Sequence, residues 1–227
     1  MGFNQTQKMK IKAIITGATG MVGEGLLHEA LNHSVVESIL VIGRKPCGVV
    51  HPKLKEIIHA DFYDITPILS QLSGYNACYF CSGVSSVGMK EEEYFKLTHT
   101  LTLNFAEKLS SLNSAMTFCY VSGSGTDSSE KGRSMWARVK GKTENDLMKL
   151  PFKAVYNFRP AYMHATSGLK NIPSAYKYIS WLYPFVRRFF PNYATTLAEL
   201  GHAMINTSIR GYSKPILEVK DILVMSK

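Results

Sequence analysis

Short apolar runs alternate with amphipathic stretches along most of the chain. Ile11–Ile15, Ser38–Gly43, Lys55–Ala60, Ala77–Cys81, Met116–Val121 and Ala154–Arg159 are too short for helices and read as strands. Several are apolar without a break, which predicts burial on both faces. Between them the period changes. Met21–Leu31 places Val22, Leu26, Leu27 and Ala30 on one helical face, and Ile65–Leu72 predicts a short helix. Lys90–Leu112 predicts a long helix that packs on the sheet through Tyr94, Leu97, Leu101, Phe105 and Leu109. A further helix contains Ser134–Lys142, and an amphipathic closing helix spans Thr195–Ser208. Ile216–Met225 reads as a short terminal strand or tail. This alternation predicts an α/β fold, a doubly wound parallel sheet with right-handed connections. Its length, 227 residues, suits a single domain.

The first predicted strand breaks at Thr16 into Gly-Ala-Thr-Gly-Met-Val-Gly, with Gly17, Gly20 and Gly23 spaced G-x-x-G-x-x-G. Placed between a strand and a helix, this spacing fits a dinucleotide. Gly17 permits the tight turn, Gly20 lets backbone N–H groups approach a pyrophosphate, and Gly23 lets the helix pack closely. Thr19, Met21 and Val22 stand between the glycines, where the helix start offers unpaired N–H groups to phosphate.

The end of the second strand carries Arg44-Lys45-Pro46 and no carboxylate. A site selective for NAD places a carboxylate there for the ribose hydroxyls; a guanidinium suits the 2′-phosphate of NADP. The expected cofactor is therefore NADP(H) in preference to NAD(H). Asp61 and Phe62, after the third strand, are expected beside the adenine. Cys81, Ser82 and Gly83, after the fourth, leave room for ribose and diphosphate across the strand ends.

Composition narrows the picture. Hydrophobic residues make up 45% of the chain, enough for a real core. The formal charge is +9, but the cations are scattered and form no basic run, which ranks nucleic acid low. No apolar run is long enough to span a membrane, and the polar Met1–Lys10 carries no signal core, so the expected location is cytoplasmic. The four cysteines, Cys47, Cys78, Cys81 and Cys119, form no disulfide pattern. Cys78, Cys81 and Cys119 fall in predicted strands as core residues, and no metal site is expected.

Taken together, Gly17–Gly23, the Arg44 turn, Cys81-Ser-Gly83, the Ser122 loop, Lys140 and Arg159-Pro160 resemble the short-chain dehydrogenase/reductase superfamily. The likeness is to its atypical and extended branches, the NAD(P)-dependent epimerase/dehydratase-like proteins, and covers about Lys10–Arg210. The resemblance implies a Rossmann-like fold in which residues 163–227 contribute a small C-terminal helical lid or substrate region. It also implies a Tyr-x-x-x-Lys pair on one helix, whose Lys binds the nicotinamide ribose and lowers the Tyr pKa. Lys140 matches the Lys; Trp136 stands where the Tyr is expected. An indole donates a hydrogen bond but does not exchange a proton. Ser122 or Ser124 matches the substrate-binding serine, and Pro160 lies beside the expected nicotinamide. Ser134, Tyr120 and Tyr162 are candidates for a displaced acid. Tyr162, at the end of the sixth strand, is the best placed, so the catalytic candidates are Ser122, Lys140 and Tyr162.

From Ser174 to Phe190 the chain is dominated by aromatics interrupted by cations and one proline. A lid over a substrate pocket and plain core are the favoured readings; a membrane-surface patch ranks below them. For the whole chain two functions compete. One is an NADP(H)-dependent oxidoreductase acting on an unknown small molecule through an altered acid–base centre. The other is an NADP(H)-binding regulatory or interaction protein without turnover. A sugar-nucleotide epimerase or dehydratase is the weaker third reading, because the chain is short for a large substrate domain and lacks the Tyr.

Overall fold

The computed structural model describes residues 10–166, 168–174, 176 and 180–227. The polar stretch Met1–Met9 and part of the aromatic segment, at 175 and 177–179, lie outside the described residues.

Apolar runs with little polar interruption form β1 (Ile11–Thr16), β2 (Val36–Gly43), β4 (Ala77–Phe80), β5 (Thr117–Val121) and β6 (Ala154–Arg159), and the more polar β3 (Leu54–Ile58) lies at the edge. With β9 (Ile216–Glu218) they form a seven-stranded sheet in the order β3-β2-β1-β4-β5-β6-β9, with every pairing parallel. The chain winds outward from β1 to β3, returns to β4 on the other side of β1, and winds outward again. Helices accordingly cover both faces. Helix α1 (Met21–Asn32) shares one apolar core with the inward residues Ala13, Ile15, Tyr79 and Cys119. On the opposite face, the 3₁₀ segment Thr66–Leu72, α3 (Leu101–Leu112) and α4 (Met135–Leu147) pack over Ile14, Cys78, Phe80 and Phe118.

The region expected as one long helix over 90–112 is helical throughout but not uniform. Between α2 (Glu91–Phe95) and α3 lies a π-helical turn, Lys96–Thr100. The wider turn re-phases the apolar stripe. Tyr94, Phe105 and Leu109 stay buried in the sheet contact, while Leu97 and Leu101 turn to the cleft described below. Cys81 falls just past the end of β4 and is only partly buried, rather than inside the strand as expected.

After β6 the chain leaves the sheet. β7 (Tyr162–His164) pairs in parallel with β8 (Ala194–Thr196), a small second sheet not foreseen from the sequence. Between them α5 (Tyr183–Phe189) is the main described helix. The excursion is tied back by Glu24 of α1, whose oxygens accept the backbone N–H groups of Lys170 and Asn171, each at 2.8 Å. Four of its described aromatics, Trp181, Phe185, Phe189 and Phe190, are exposed rather than core.

The chain then rejoins the main layers. Helix α6 (Leu197–Arg210) begins at a capping box, with Thr196 accepting from the Glu199 N–H and Glu199 from the Thr196 N–H. It crosses α1 closely: a Cβ at Gly25 would lie 2.9 Å from that of Leu197. The segment read as a terminal strand or tail is both β9 (Ile216–Glu218), the last strand of the sheet, and α7 (Val219–Met225). Thus residues 197–227 are part of the main body, and the excursion is confined to about 162–196.

Gly141 shows how tightly α4 is docked. A Cβ there would stand 1.8 Å from the Asp127 carbonyl oxygen. Gly141→Ala gains about 1 kcal/mol of helix propensity, but a backbone clash of this kind costs more, about 1–3 kcal/mol. The expected result is a net loss of stability in chemical denaturation; a more stable variant would contradict the close docking.

Candidate functional site

At the carboxyl ends of β1 and β4, where the winding reverses, the strands part and leave a crevice. Gly17 begins its floor. With φ at +72° it occupies left-handed space, and a Cβ would meet the Cys81 carbonyl at 2.7 Å. Gly23 is closer still, its Cβ position 2.2 Å from the Gly17 carbonyl oxygen. Gly20 is different: among the described residues, its chain neighbours aside, nothing approaches its Cβ position closer than 3.5 Å. It is the N-cap of α1 and supplies no side-chain cap, so first-turn N–H groups keep no cap partner. An uncapped helix start opening on a cleft floored by glycines fits a pyrophosphate.

The crevice has two lobes sharing Gly20 and Cys81–Val84. The outer lobe, about 360 Å³, is bounded by Thr19, Gly43, Arg44, Lys45, Asp61 and Phe62. Arg44 and Lys45 are exposed at its mouth. Asp61 is engaged locally, its Oδ1 accepting the Tyr63 N–H at 2.8 Å. Phe62 is buried and stacks on Phe105, with ring centroids 5.8 Å apart, so it is wall and core at once. Ala60, Tyr63, Val84, Leu97 and Leu101 also line this lobe. Val84 continues the Ser82-Gly83 stretch expected at the strand ends; sequence reasoning assigns none of the other four to the site, and the two leucines carry a misleading signal because they continue the apolar stripe.

The inner lobe, about 280 Å³, brings Met21, Val22, Ser82 and Gly83 together with Ser122, Lys140, Pro160 and Met163. Its wall rests on a buried charged network. Glu144 of α4, wholly buried, accepts from Arg159 Nε at 3.0 Å and Nη2 at 2.5 Å. Ser122 Oγ donates to the same carboxylate at 2.5 Å and lies 3.1 Å from the Phe158 carbonyl oxygen. Arg159 reaches on to Glu218 at 3.2 Å and to Ser128 Oγ. The Ser122 hydroxyl is therefore committed to structure. The Lys140 ammonium donates to the Ser122 backbone carbonyl. Burial lowers its pKa to about 8, and the Glu144 carboxylate one turn away partly offsets this.

The other sequence candidates lie elsewhere. The Trp136 indole packs at the Ser122 loop, 3.5 Å from where a Cβ on Gly125 would stand, and is not among the residues lining either lobe. Ser124 is exposed and ties its N–H to the Pro160 carbonyl at 2.8 Å; of the two serines it is Ser122 that lines the cleft. Ser134 is exposed at the start of α4. Tyr120 is buried, and burial drives its phenol far above the ordinary range. Tyr162 turns its ring to Tyr176 and Tyr183, at centroid distances of 6.0 and 6.2 Å, and burial raises its pKa. Its neighbour Met163 faces the cleft instead. The Cys81 thiol is pushed up by burial and by Cys119, which leaves it protonated at neutral pH.

The sequence model for the NAD dependent epimerase/dehydratase family matches residues 13–135, from β1 through the start of α4, just over half of the chain. The chain belongs to this family. Protein HTATIP2 of Rattus norvegicus is 24% identical over 97% of this chain and 91% of its own length. Protein FMP52, mitochondrial, of Candida glabrata is 26% identical over 67% of this chain and 64% of its own. Solved structures share the fold at low identity. Helicobacter pylori ADP-L-glycero-D-manno-heptose-6-epimerase superposes with a TM-score of 0.67 at 13% identity, covering 100% of this chain and 84% of that one. The Bordetella bronchiseptica enzyme WbmF, solved with NAD+, gives 0.66 at 13%, covering 96% and 78%.

Lys140 is the titratable group of the inner lobe with a pKa near neutrality. Competitive acetylation followed by mass spectrometry should show its reactivity rising through about pH 8, while exposed lysines rise near their ordinary value of about 10.4. Glu144→Gln removes the offsetting charge and should move the Lys140 transition lower. A transition alongside the surface lysines would contradict the buried setting.

Proposed function

We propose that this family member is an NADP(H)-dependent oxidoreductase in which Lys140 transfers the proton. The observation that carries the reading is the layout of one crevice, with exposed Arg44 and Lys45 at the mouth, the uncapped start of α1 in the middle and half-buried Lys140 at the inner end. In this reading the guanidinium of Arg44 and the ammonium of Lys45 hold a 2′-phosphate, the N–H groups of Met21 and Val22 face the pyrophosphate, and Phe62 flanks the adenine. Cys81–Gly83 and Pro160 border the ribose and nicotinamide.

A bound dihydronicotinamide supplies a hydride. The rest falls to the chain. Lys140 Nζ, steered by the Ser122 carbonyl, gives a proton to the oxygen of a carbonyl substrate as negative charge develops there. A group titrating at about 8 is mostly protonated at neutral pH yet gives up its proton readily. This assignment replaces a phenolic acid: Trp136 exchanges no proton, and Tyr162 faces the aromatic cluster rather than the lobe. Reduction requires protonated Lys140 and should slow above about pH 8; oxidation of the alcohol requires the free amine and should speed up through the same range. Trp136 also favours a second reading, a dinucleotide-binding regulatory protein without turnover.

Two measurements test these readings. In fluorescence titrations wild type should bind NADPH more tightly than NADH, and Arg44→Ala should erase most of the difference, roughly tenfold or more for a phosphate–guanidinium contact. Equal binding of both cofactors by wild type would remove the 2′-phosphate argument. NADPH oxidation is then followed over aldehydes, ketones, quinones and enones. Turnover that Lys140→Met abolishes supports the oxidoreductase; tight NADPH binding with no turnover on any of them supports the regulatory reading.

A further inference from the structure

The excursion between β7 and β8 carries its aromatic face outward. Across Trp181–Phe190 the exposed positions are Trp181, Pro184, Phe185, Arg188, Phe189 and Phe190, whereas Leu182, Tyr183, Val186 and Arg187 are partly buried. Trp181 in the 3₁₀ turn Ser180–Leu182 and Phe185 and Phe189 in α5 stand four residues apart in sequence and are all exposed, an outward-facing aromatic stripe. Trp181 is 74% exposed, Phe185 57% and Phe189 62%, with the Phe185 and Phe189 rings 4.6 Å apart. Tyr193, 63% exposed, lies beyond the helix in the 3₁₀ turn Pro191–Tyr193. This is the reverse of an ordinary surface helix, which hides its apolar stripe.

The inward face is already satisfied. The Tyr183 ring stacks on His164 of β7, centroid to centroid 4.2 Å. Arg187 donates to the Ala194 carbonyl at 2.8 Å and pairs with Glu199. The helix is thus fastened in its orientation, and its aromatic stripe is not a core face awaiting this chain's own sheet.

Charge identifies what covers it. From Pro160 to Ala198 the sequence contains Lys170, Lys177, Arg187 and Arg188 and no aspartate or glutamate. The nearest carboxylate in sequence beyond that stretch, Glu199, is held by Arg187, and Arg188 projects beside the stripe. The whole chain carries +9. No described helix is long and apolar enough to cross a bilayer, so the contact is one that lies on the surface. We propose that Trp181, Phe185 and Phe189, flanked by Arg188, form an interfacial anchor that docks the protein on an anionic lipid bilayer. Aromatic rings suit the headgroup boundary, and a cation beside them meets acidic headgroups. The inference stands apart from the dinucleotide reading and uses none of its residues.

Sedimentation with vesicles tests it. The full-length protein should pellet with vesicles of phosphatidylcholine mixed with phosphatidylserine and much less with phosphatidylcholine alone, and added salt should weaken the binding. Phe185→Ser/Phe189→Ser should lower partitioning by roughly tenfold or more, and Arg188→Glu by on the order of tenfold on anionic vesicles only. Both variants should keep the wild-type melting temperature, since the replaced side chains are exposed. If the double variant melts early, Arg188→Glu and a second readout decide: in Trp136→Phe protein the remaining tryptophan, Trp181, should shift to the blue on anionic vesicles and be quenched by brominated acyl chains. No pelleting with acidic vesicles overturns the proposal, as does equal pelleting with neutral ones. Unchanged binding by the folded variants, or a Trp181 that stays unquenched on bound vesicles, overturns it too. A dimer that the double variant dissociates, without vesicle binding, would assign the stripe to a second copy of the chain.

Discussion

The start of α1 lies against the Gly17 carbonyl with no room for a methyl group at Gly23, and the Gly17 turn in turn leaves no room for one against Cys81 after β4. These contacts fix the origin of the fold's chemistry. They hold the helix N-terminus at the one place in the sheet where neighbouring strands wind in opposite directions. A larger residue at Gly23 would drive the helix off the loop and move its N–H groups out of the crevice. Gly20 lies between the two tight positions and is not crowded by the protein, so the chain leaves space where a ligand's backbone contacts belong.

At the other end of the crevice the same function falls to charge. Glu144 and Arg159 join α4 to β6, and Glu218 extends the network to the last strand. A buried ion pair contributes little net stability over an apolar pair, because desolvation offsets much of the attraction. Its value here lies in geometry. Glu144 occupies the Ser122 hydroxyl, while the backbone carbonyl of the same residue accepts from Lys140. The negative charge one turn from Lys140 opposes the burial that lowers its pKa. Removing either member of the pair would therefore disturb the wall of the inner lobe as well as the stability of the sheet edge.

Much of this was legible in the sequence because strong local signals agreed with the tertiary demand. The period change at Thr16–Gly17, the apolar runs and the β6 boundaries all belong to elements whose burial sets their pattern. The failures have physical causes. The π turn at Lys96–Thr100 leaves no mark in a stripe that still looks helical, so Leu97 and Leu101 were read as sheet contacts. The pairing of β7 with β8 depends on residues far apart in sequence and only three long, below the length at which alternation carries information. Nothing in the sequence around Glu144 separates it from a surface acid on a helix; only Arg159, brought alongside from the next strand, makes it a buried one.

The aromatic segment shows the limit from the other side. Composition alone makes core the commonest outcome for so many rings. What decides otherwise is phase. The 3₁₀ turn Ser180–Leu182 and α5 present Trp181, Phe185 and Phe189 outward, because Tyr183 and Arg187 make their own contacts on the inner side. A stripe of rings is read as buried only while its opposite face remains polar. Here the opposite face is itself pinned to β7, β8 and α6, so the hydrophobic effect on the outer rings is unspent within this chain and acts on whatever lies beyond it.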